Sequence, residues 1–231
     1  MKQISTIISA FIMLFMVSCN NQPKPVEEAT APTPAKPAFT PYKAMLITHT
    51  VKDFDTWYAA FNGDTAARNA AGLTESSVGR GLDDNNMVVV FATASDIQKA
   101  KDFSASPALK ETMTKAGVTS APAVSYWNVL RDDTSKIPQM ERLMVTHHVK
   151  DFDTWLKAYD GEGMATRAAN GLVDRAMARG LDDPNTVTLL FAVTDMDKAK
   201  ARVNSPELKK IMTDGGVDGP PQMTYFKWVK M

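Results

Sequence analysis

Apolar and polar residues alternate in a changing pattern along the chain after position 44. Met45 to Val51 is an apolar-rich run that ends in a β-branched residue, and it predicts a strand. Trp57 and Phe61 then fall at helical spacing, after Asp53, which occupies a typical N-cap position. Gly72 is expected to end this helix. The pattern therefore predicts a strand followed by a helix.

A hairpin and a second helical region come next. Glu75 to Leu82 and Met87 to Ala92 read as two strands around an Asp/Asn turn. The helical region from Asp96 to Ala116 is interrupted at Ser106-Pro107, a cap and first-turn pair that starts a new helix. Val124 to Leu130 is the last strand. The order strand, helix, strand, strand, helix, strand is that of the split βαβ, or ferredoxin-like, unit.

This unit occurs twice in the chain. Residues 48–57 recur as residues 146–155 with nine of ten positions identical, and Arg-Gly-Leu-Asp-Asp occurs at 80–84 and at 179–183. We predict two repeats, 42–131 and 142–231, and a connecting segment at 131–141. A sheet with helices on one face needs cover on the other, so the two sheets are expected to stack.

These motifs resemble a known superfamily of folds. The His-x-Val-Lys-Asp-Phe-Asp-x-Trp opening, the Arg-Gly-Leu-Asp-Asp hairpin, the Ser-Pro break and the late Gly-Val pair are similar to the dimeric α/β-barrel superfamily, in particular its antibiotic-biosynthesis-monooxygenase-like branch. The resemblance covers about residues 44–130 and 142–230. It implies an α+β fold in which two ferredoxin-like βαββαβ repeats form an intrachain dimeric α/β-barrel. Since one chain supplies both halves, a monomer is expected.

The N-terminus has the layout of a bacterial export signal. Lys2 precedes an apolar stretch, and Met16-Val17-Ser18-Cys19 resembles the lipobox at which a cysteine is acylated. We predict a signal peptide at 1–18 and a lipid on Cys19, the only cysteine of the chain. The alternative is an uncleaved anchor helix with an incidental cysteine.

The residues after the cysteine are predicted to be a spacer. Residues 19–41 are rich in Pro, Ala and Thr and have no core-forming period. Asn20, rather than Asp, resembles the signal that sends enteric lipoproteins to the outer membrane. The predicted location is therefore the bacterial cell envelope, on the outer membrane through the lipid.

Charge and composition narrow the choice of partners. The chain has 26 basic and 26 acidic side chains, which argues against a nucleic-acid partner. His147 and His148 are adjacent on a strand, so they point to opposite faces and cannot bind one metal ion there. No metal site and no cofactor are predicted. The superfamily that the chain resembles includes haem-binding members. His148 or His49 could serve as a haem ligand, but the sequence does not match the ligand pattern of those members.

Two histidines are the candidate catalytic residues. His49 and His147 occupy the same position on the first strand of each repeat, on the face of Ile47 and Val51. They could be general bases or ligand contacts. The alternative is that they are structural residues bonded to a nearby carboxylate or carbonyl group.

Aromatic and arginine residues are the candidate ligand-binding positions. Arginines suit a carboxylate or phosphate group, although ion pairs with Asp55, Asp83 or Asp84 would also explain them. The aromatic residues could line a pocket or simply pack in the core. The candidates are Trp57, Trp155, Arg68, Arg167, Arg80, Arg179, Tyr126 and Tyr225.

Three functions remain open from the sequence. The first is an envelope lipoprotein that binds a small apolar or aromatic molecule in the barrel. The second, implied by the resemblance, is a cofactor-free monooxygenase or an isomerase or cyclase that works by proton transfer. In that enzyme His49 and His147 would be the bases, and Arg80 and Arg179 would stabilise a developing negative charge. The third is a structural envelope protein.

Overall fold

The computed structural model describes residues 39–230. The predicted signal peptide, Cys19 and the first part of the predicted spacer lie outside the described residues. Within residues 39–230, every helix is too short or too polar to cross a lipid bilayer.

Both repeats follow the predicted order of elements. The first contains β1 (Tyr42–Thr50), α1 (Phe54–Gly63), α2 (Thr65–Ala70), β2 (Leu73–Gly81), β3 (Met87–Ala94), α3 (Ile97–Ser104), α4 (Pro107–Lys115) and β4 (Ala123–Asp132). The second contains β5 (Glu141–Val149), α5 (Phe152–Glu162), α6 (Met164–Ala169), β6 (Leu172–Gly180), β7 (Thr186–Val193), α7 (Met196–Val203), α8 (Pro206–Asp214) and β8 (Val217–Lys230).

Short polar motifs fix where the helices begin. The carboxylate of Asp53 accepts a hydrogen bond from the backbone N–H of Thr56 at 2.8 Å, and caps α1. Ser106 caps α4, and Pro107 occupies its first turn, as the Ser-Pro break predicted.

The first helix of each repeat differs from the prediction, because it is divided into two. Asp64 ends α1, where its N–H bonds to the carbonyls of Ala60 and Phe61. In the second repeat Gly163 ends α5 with a φ of 82°, a left-handed conformation that glycine adopts without strain. The chain then re-enters a short helix that carries the arginine of each repeat, Arg68 or Arg167.

The eight strands form one closed barrel in the order β1-β3-β2-β8-β5-β7-β6-β4. Each repeat supplies four antiparallel neighbours, and the repeats meet at two seams, β2–β8 and β4–β6. The predicted intrachain barrel is confirmed, because the edge strands of the two repeats are hydrogen-bonded into a single closed sheet. Within residues 39–230, closure of the barrel leaves no unpaired edge strand.

The strands β2 and β8 pack closely against each other where they meet at the seam. Gly79 on β2 lies under the ring of Phe226 on β8, and a Cβ atom there would come within 2.3 Å of that ring. A glycine at this position therefore lets an aromatic ring from the other repeat pack flat against the strand.

Strand alternation divides the apolar residues into two environments. On β1, Met45 and Ile47 pack against the helices of the first repeat. Ala44 and Leu46, between them in the sequence, pack in the barrel interior with residues of both repeats. The second repeat has its own helix-side core. One interior is thus shared, whereas each repeat has a separate core under its helices.

Candidate functional site

The barrel interior contains a cavity of about 620 Å³, which we call the barrel cavity. This volume is within the range of pockets that hold small molecules, roughly 300–1,000 Å³. Its apolar wall includes Leu46, Phe91, Trp127, Val129, Phe226 and Trp228.

Small side chains at inward-facing positions leave the cavity unfilled. Ser77 on β2, and Ala176 and Ala178 on β6, line it beside the large aromatic residues. A core that is packed to normal density would place larger side chains at these positions. The cavity therefore exists because small residues occupy these inward-facing positions of the strands.

The connecting segment forms part of the cavity wall. Outside the strands it runs over residues 133–140, and Asp133, Ser135 and Ile137 line the cavity. Arg175 on β6 holds it in place, since Nη1 lies 3.0 Å from an Asp133 carboxylate oxygen and Nη2 donates to the Ser135 carbonyl at 2.6 Å. A segment predicted only as a connection is therefore part of the site.

A second arginine, Arg142 on β5, also lines the cavity and is only 2 % exposed. Its Nη1 donates to the carbonyls of Gln139 and Glu141 at 2.8 and 2.9 Å. Burial, together with the positive charge of Arg175, lowers the pKa of Arg142 to about 10. The guanidinium is thus charged at neutral pH in surroundings that disfavour further positive charge.

The residues predicted from the sequence occupy a different place. None of the ten candidate catalytic and ligand-binding residues lines the barrel cavity. Two smaller helix-side pockets, of about 60 and 80 Å³, lie between the sheet and the helices, one in each repeat. The first contains His49, Trp57 and Arg68, and the second contains His147, Trp155 and Arg167.

Both candidate histidines are buried against a tryptophan. The rings of His49 and Trp57 lie edge to face with centroids 5.3 Å apart, and those of His147 and Trp155 are 5.4 Å apart. Among the described residues, neither ring nitrogen of either histidine has a hydrogen-bond partner. The carboxylate or carbonyl partner that a structural histidine would have is therefore not found there.

Burial lowers the pKa of both His49 and His147 to about 4. Both side chains are neutral at pH 7, and protonating either there costs about 4 kcal/mol. An efficient general base has a pKa near the working pH. Their surroundings therefore make these imidazoles weak bases, and their catalytic role stays a prediction.

The arginines of the helix-side pockets differ between the repeats. Arg167 donates to both carboxylate oxygens of Asp174 at 2.8 and 2.6 Å and lies 3.4 Å from Glu162. Arg68 instead donates to the Phe61 carbonyl and to the Thr65 hydroxyl group. Arg167 thus forms an ion pair, although with carboxylates other than those considered from the sequence.

Arg80 and Arg179 hold the hairpin turns against the helices. Their Nε atoms donate to the carbonyls of Asn85 and Pro184 at 2.6 and 2.7 Å. Their guanidinium groups lie over the rings of Phe54 and Phe152, at 4.6 and 3.9 Å from the ring centroids. These contacts indicate that both arginines stabilise the hairpin turns.

The two tyrosines face the helices. Tyr126 makes a hydrogen bond with Ser104 at 2.6 Å, and Lys101 lies over its ring. Tyr225 packs against the helix-side core of the second repeat, and Lys200 lies over its ring. Trp127 is adjacent to Tyr126 on β4 and therefore points the other way, into the barrel.

No metal or haem site is apparent in the described part of the chain. Residues 39–230 contain no cluster of three His, Cys, Asp or Glu side chains that could hold a metal ion. The pocket at His49 is far smaller than the roughly 300 Å³ at which ligand pockets begin, so it does not fit haem. No histidine lines the barrel cavity, and His148 is exposed beside Asp183 and Asp218.

Comparison with solved structures confirms the predicted fold class. An anthrone oxidase-like protein superposes with a TM-score of 0.58 and 15% identity, covering 81% of this chain and 91% of its own. A protein from Lactobacillus acidophilus NCFM, provisionally named a monooxygenase, gives 0.53 and 16% identity, covering 82% and 94%. One provisionally named a chlorite dismutase gives 0.51 and 13%, covering 82% and 95%. At this identity the similarity shows the fold alone: ferredoxin-like repeats in a dimeric α/β-barrel.

No family model matches the chain, and no curated protein matches it by sequence.

The buried histidines predict a loss of stability in acid. Each has a pKa of about 4 in the folded chain against 6.5 in the unfolded chain, so the unfolded chain takes up the proton first. The stability that the neutral forms contribute is complete above pH 6.5 and is lost as pH falls toward 4. The loss is about 3 kcal/mol for each histidine. Urea unfolding at pH 7, 5.5 and 4.5 measures it.

Leucine variants separate this effect from other acid effects. The double substitution His49→Leu and His147→Leu should remove most of the difference between pH 7 and pH 4.5. His148→Leu replaces an exposed imidazole, so it removes no burial cost and should leave the difference intact. An unchanged pH dependence in the double variant would contradict the assignment.

Proposed function

We propose that this chain is a lipid-anchored protein of the bacterial cell envelope that binds a small apolar or aromatic molecule in the barrel cavity, as a monomer. The observation that carries the binding function is the barrel cavity itself. Its volume is about 620 Å³, most of its exposed wall is aromatic and aliphatic, and many of its polar groups lie where the connecting segment, Arg142 and Arg175 line it. Sites of this composition bind small molecules by burying apolar surface, and their few polar groups orient the ligand.

The envelope location rests on the sequence of the N-terminus. Met16-Val17-Ser18-Cys19 is lipobox-like, and the Pro-rich residues that follow would hold the barrel away from the membrane. The lipid would be the membrane contact of a chain with no net charge.

Metabolic labelling with radioactive palmitate tests the tether. We expect label on the full chain and none on the Cys19→Ala variant, because acylation needs the thiol of Cys19. Retention of label in the variant would exclude the proposed anchor.

Proton-transfer catalysis in the helix-side pockets is the second candidate. The observation that favours it is the duplicated buried histidine, unpartnered among the described residues, beside a tryptophan and an arginine. The low pKa of both histidines and the small pocket volumes weigh against it. Binding in the larger barrel cavity is therefore the better supported function.

Oxygen uptake on addition of anthrone tests the catalytic candidate. Anthrone is chosen because a protein of the same fold is named anthrone oxidase-like. The catalytic candidate requires uptake by the wild type and its loss in the His49→Leu and His147→Leu double variant. Binding as the main function predicts no protein-dependent uptake above the rate in buffer.

A neutral fluorescent probe tests binding in the barrel cavity. N-phenyl-1-naphthylamine fluoresces strongly in apolar surroundings, and we expect saturable binding with a dissociation constant in the micromolar range. Leu190→Trp adds bulk inside the cavity and should weaken binding at least tenfold, because the probe and the new ring compete for one space.

Leu156→Trp is the matched control for that experiment. Leu156 packs on α5 against the helix-side core of the second repeat and does not line the barrel cavity, so the same substitution there should leave probe affinity unchanged. Equal affinity in the Leu190→Trp variant and the wild type would rule out the barrel cavity as the binding site.

A further inference from the structure

The connecting segment lies where the barrel cavity meets the solvent. The strand residues that line the cavity are buried or half-buried. Four consecutive lining residues on the connecting segment are exposed instead: Asp133, Thr134, Ser135 and Lys136. Because these residues face both the cavity and the solvent, they mark its open end. The connecting segment therefore crosses the mouth of the cavity.

Backbone hydrogen bonds hold the connecting segment at both of its ends. At its start, the N–H of Asp133 donates to the carbonyl of Arg175 at 2.6 Å. At its end, the N–H of Trp228 donates to the carbonyl of Met140 at 3.0 Å. Between these points Ile137 is half-buried and lines the cavity. The segment is thus tied to the barrel at each end and turns an apolar side chain toward the interior.

The side chain of Arg175 binds the exposed part of the segment to β6. Its Nη1 atom lies 3.0 Å from an Asp133 carboxylate oxygen and 3.3 Å from the Ser135 hydroxyl oxygen, and its Nη2 atom donates to the Ser135 carbonyl at 2.6 Å. Arg175 is 9 % exposed, so little water competes for these bonds, which strengthens them. One buried side chain therefore holds the part of the segment that lies over the mouth.

A β-bulge directs Arg175 toward the connecting segment. The pairing of β6 with β7 shifts register between Asp174 and Ala176. As a result, the consecutive residues Arg175 and Ala176 both line the cavity, although regular alternation places neighbours on opposite faces. The aligned residue of the first repeat is Ser76, so the repeat fold itself does not require an arginine here. Arg175 is therefore specific to the end of the barrel that the segment crosses.

We propose that the connecting segment is a gate over the barrel cavity, and that Arg175 is the positioning residue that holds the gate closed. A ligand passes beneath residues 134–137 when the bonds between Arg175 and the segment open. Exposed segments with few hydrogen bonds open at a lower free energy than core strands, and such segments control ligand exchange in many enzymes. The inference rests on the proposed binding function and adds the route by which the ligand enters and leaves.

Stopped-flow fluorescence with N-phenyl-1-naphthylamine tests the gate. Arg175→Met removes the bonds to Asp133 and Ser135, so the gate opens more often in both the free and the dye-bound protein. We expect the association and dissociation rate constants both to rise at least fivefold. A side chain that only contacted the dye would act on the dissociation rate constant alone, as most binding-surface substitutions do.

Arg131→Met is the matched control for this experiment. Arg131 lies near the end of β4, close to the connecting segment in the chain, but it pairs with Asp160 and does not line the cavity. Both rate constants should equal those of the wild type.

Arg175→Lys covers the case in which Arg175→Met does not fold. Lysine keeps the positive charge but lacks the planar fork that binds the Asp133 carboxylate and the Ser135 carbonyl together. Both rate constants should rise at least twofold.

The outcomes separate the gate from the function on which it rests. If the dye binds the wild type, but the substitutions of Arg175 leave both rate constants unchanged or change dissociation alone, the gate is wrong and barrel binding stands. If the dye does not bind the wild type, both proposals fail.

Discussion

Hydrogen bonding between the edge strands of the two repeats is the constraint on which the rest of the structure depends. A ferredoxin-like sheet alone has two unpaired edges and one uncovered apolar face. The β2–β8 and β4–β6 seams remove all four edges and close the uncovered faces around one interior. The barrel cavity exists only because these seams form, since its wall draws Leu46 and Trp127 from the first repeat and Phe226 and Trp228 from the second.

Because the barrel is closed, the two repeats form two kinds of pocket: one helix-side pocket in each repeat, and one barrel cavity that they share. Each strand presents alternate residues to its own helices and to the shared interior. A residue type that both repeats keep, such as the histidine at 49 and 147, therefore appears in two equivalent helix-side pockets. The interior is a single space, so the repeats can contribute different residues to it. Ala44 and Arg142 are such a pair of aligned positions that differ between the repeats.

Much of the fold could be predicted from the sequence, because its signals are local and occur twice. Asp53 and Ser106 cap helices as predicted, and the repeated motifs indicated two ferredoxin-like units. The division of the first helix at Asp64 was not predicted, although Gly63, a residue of low helix propensity, directly precedes it. Closure at the seams depends on contacts between residues far apart in the chain, and only the family resemblance indicated it.

The candidate site was predicted less well, for a physical reason. Ala44, Met45, Leu46 and Ile47 are all buried, so their apolarity does not show which pair faces the interior. The candidate residues were chosen from motifs that are identical in both repeats, and these motifs lie on the helix side, where His49 and Trp57 recur as His147 and Trp155. The residues of the barrel cavity differ between the repeats, as Val129 and Trp228 do. Differences between aligned repeat positions were the signal that could have identified them.

The four tryptophans of the chain offer the most direct test of where a ligand binds. Trp127 and Trp228 line the barrel cavity, whereas Trp57 and Trp155 lie in the helix-side pockets. Assigned indole N–H resonances in ¹H–¹⁵N NMR spectra would be followed during titration with N-phenyl-1-naphthylamine. Binding in the barrel predicts shifts for Trp127 and Trp228, and unchanged positions for Trp57 and Trp155. Shifts confined to Trp57 and Trp155 would place the ligand under the helices and contradict the account.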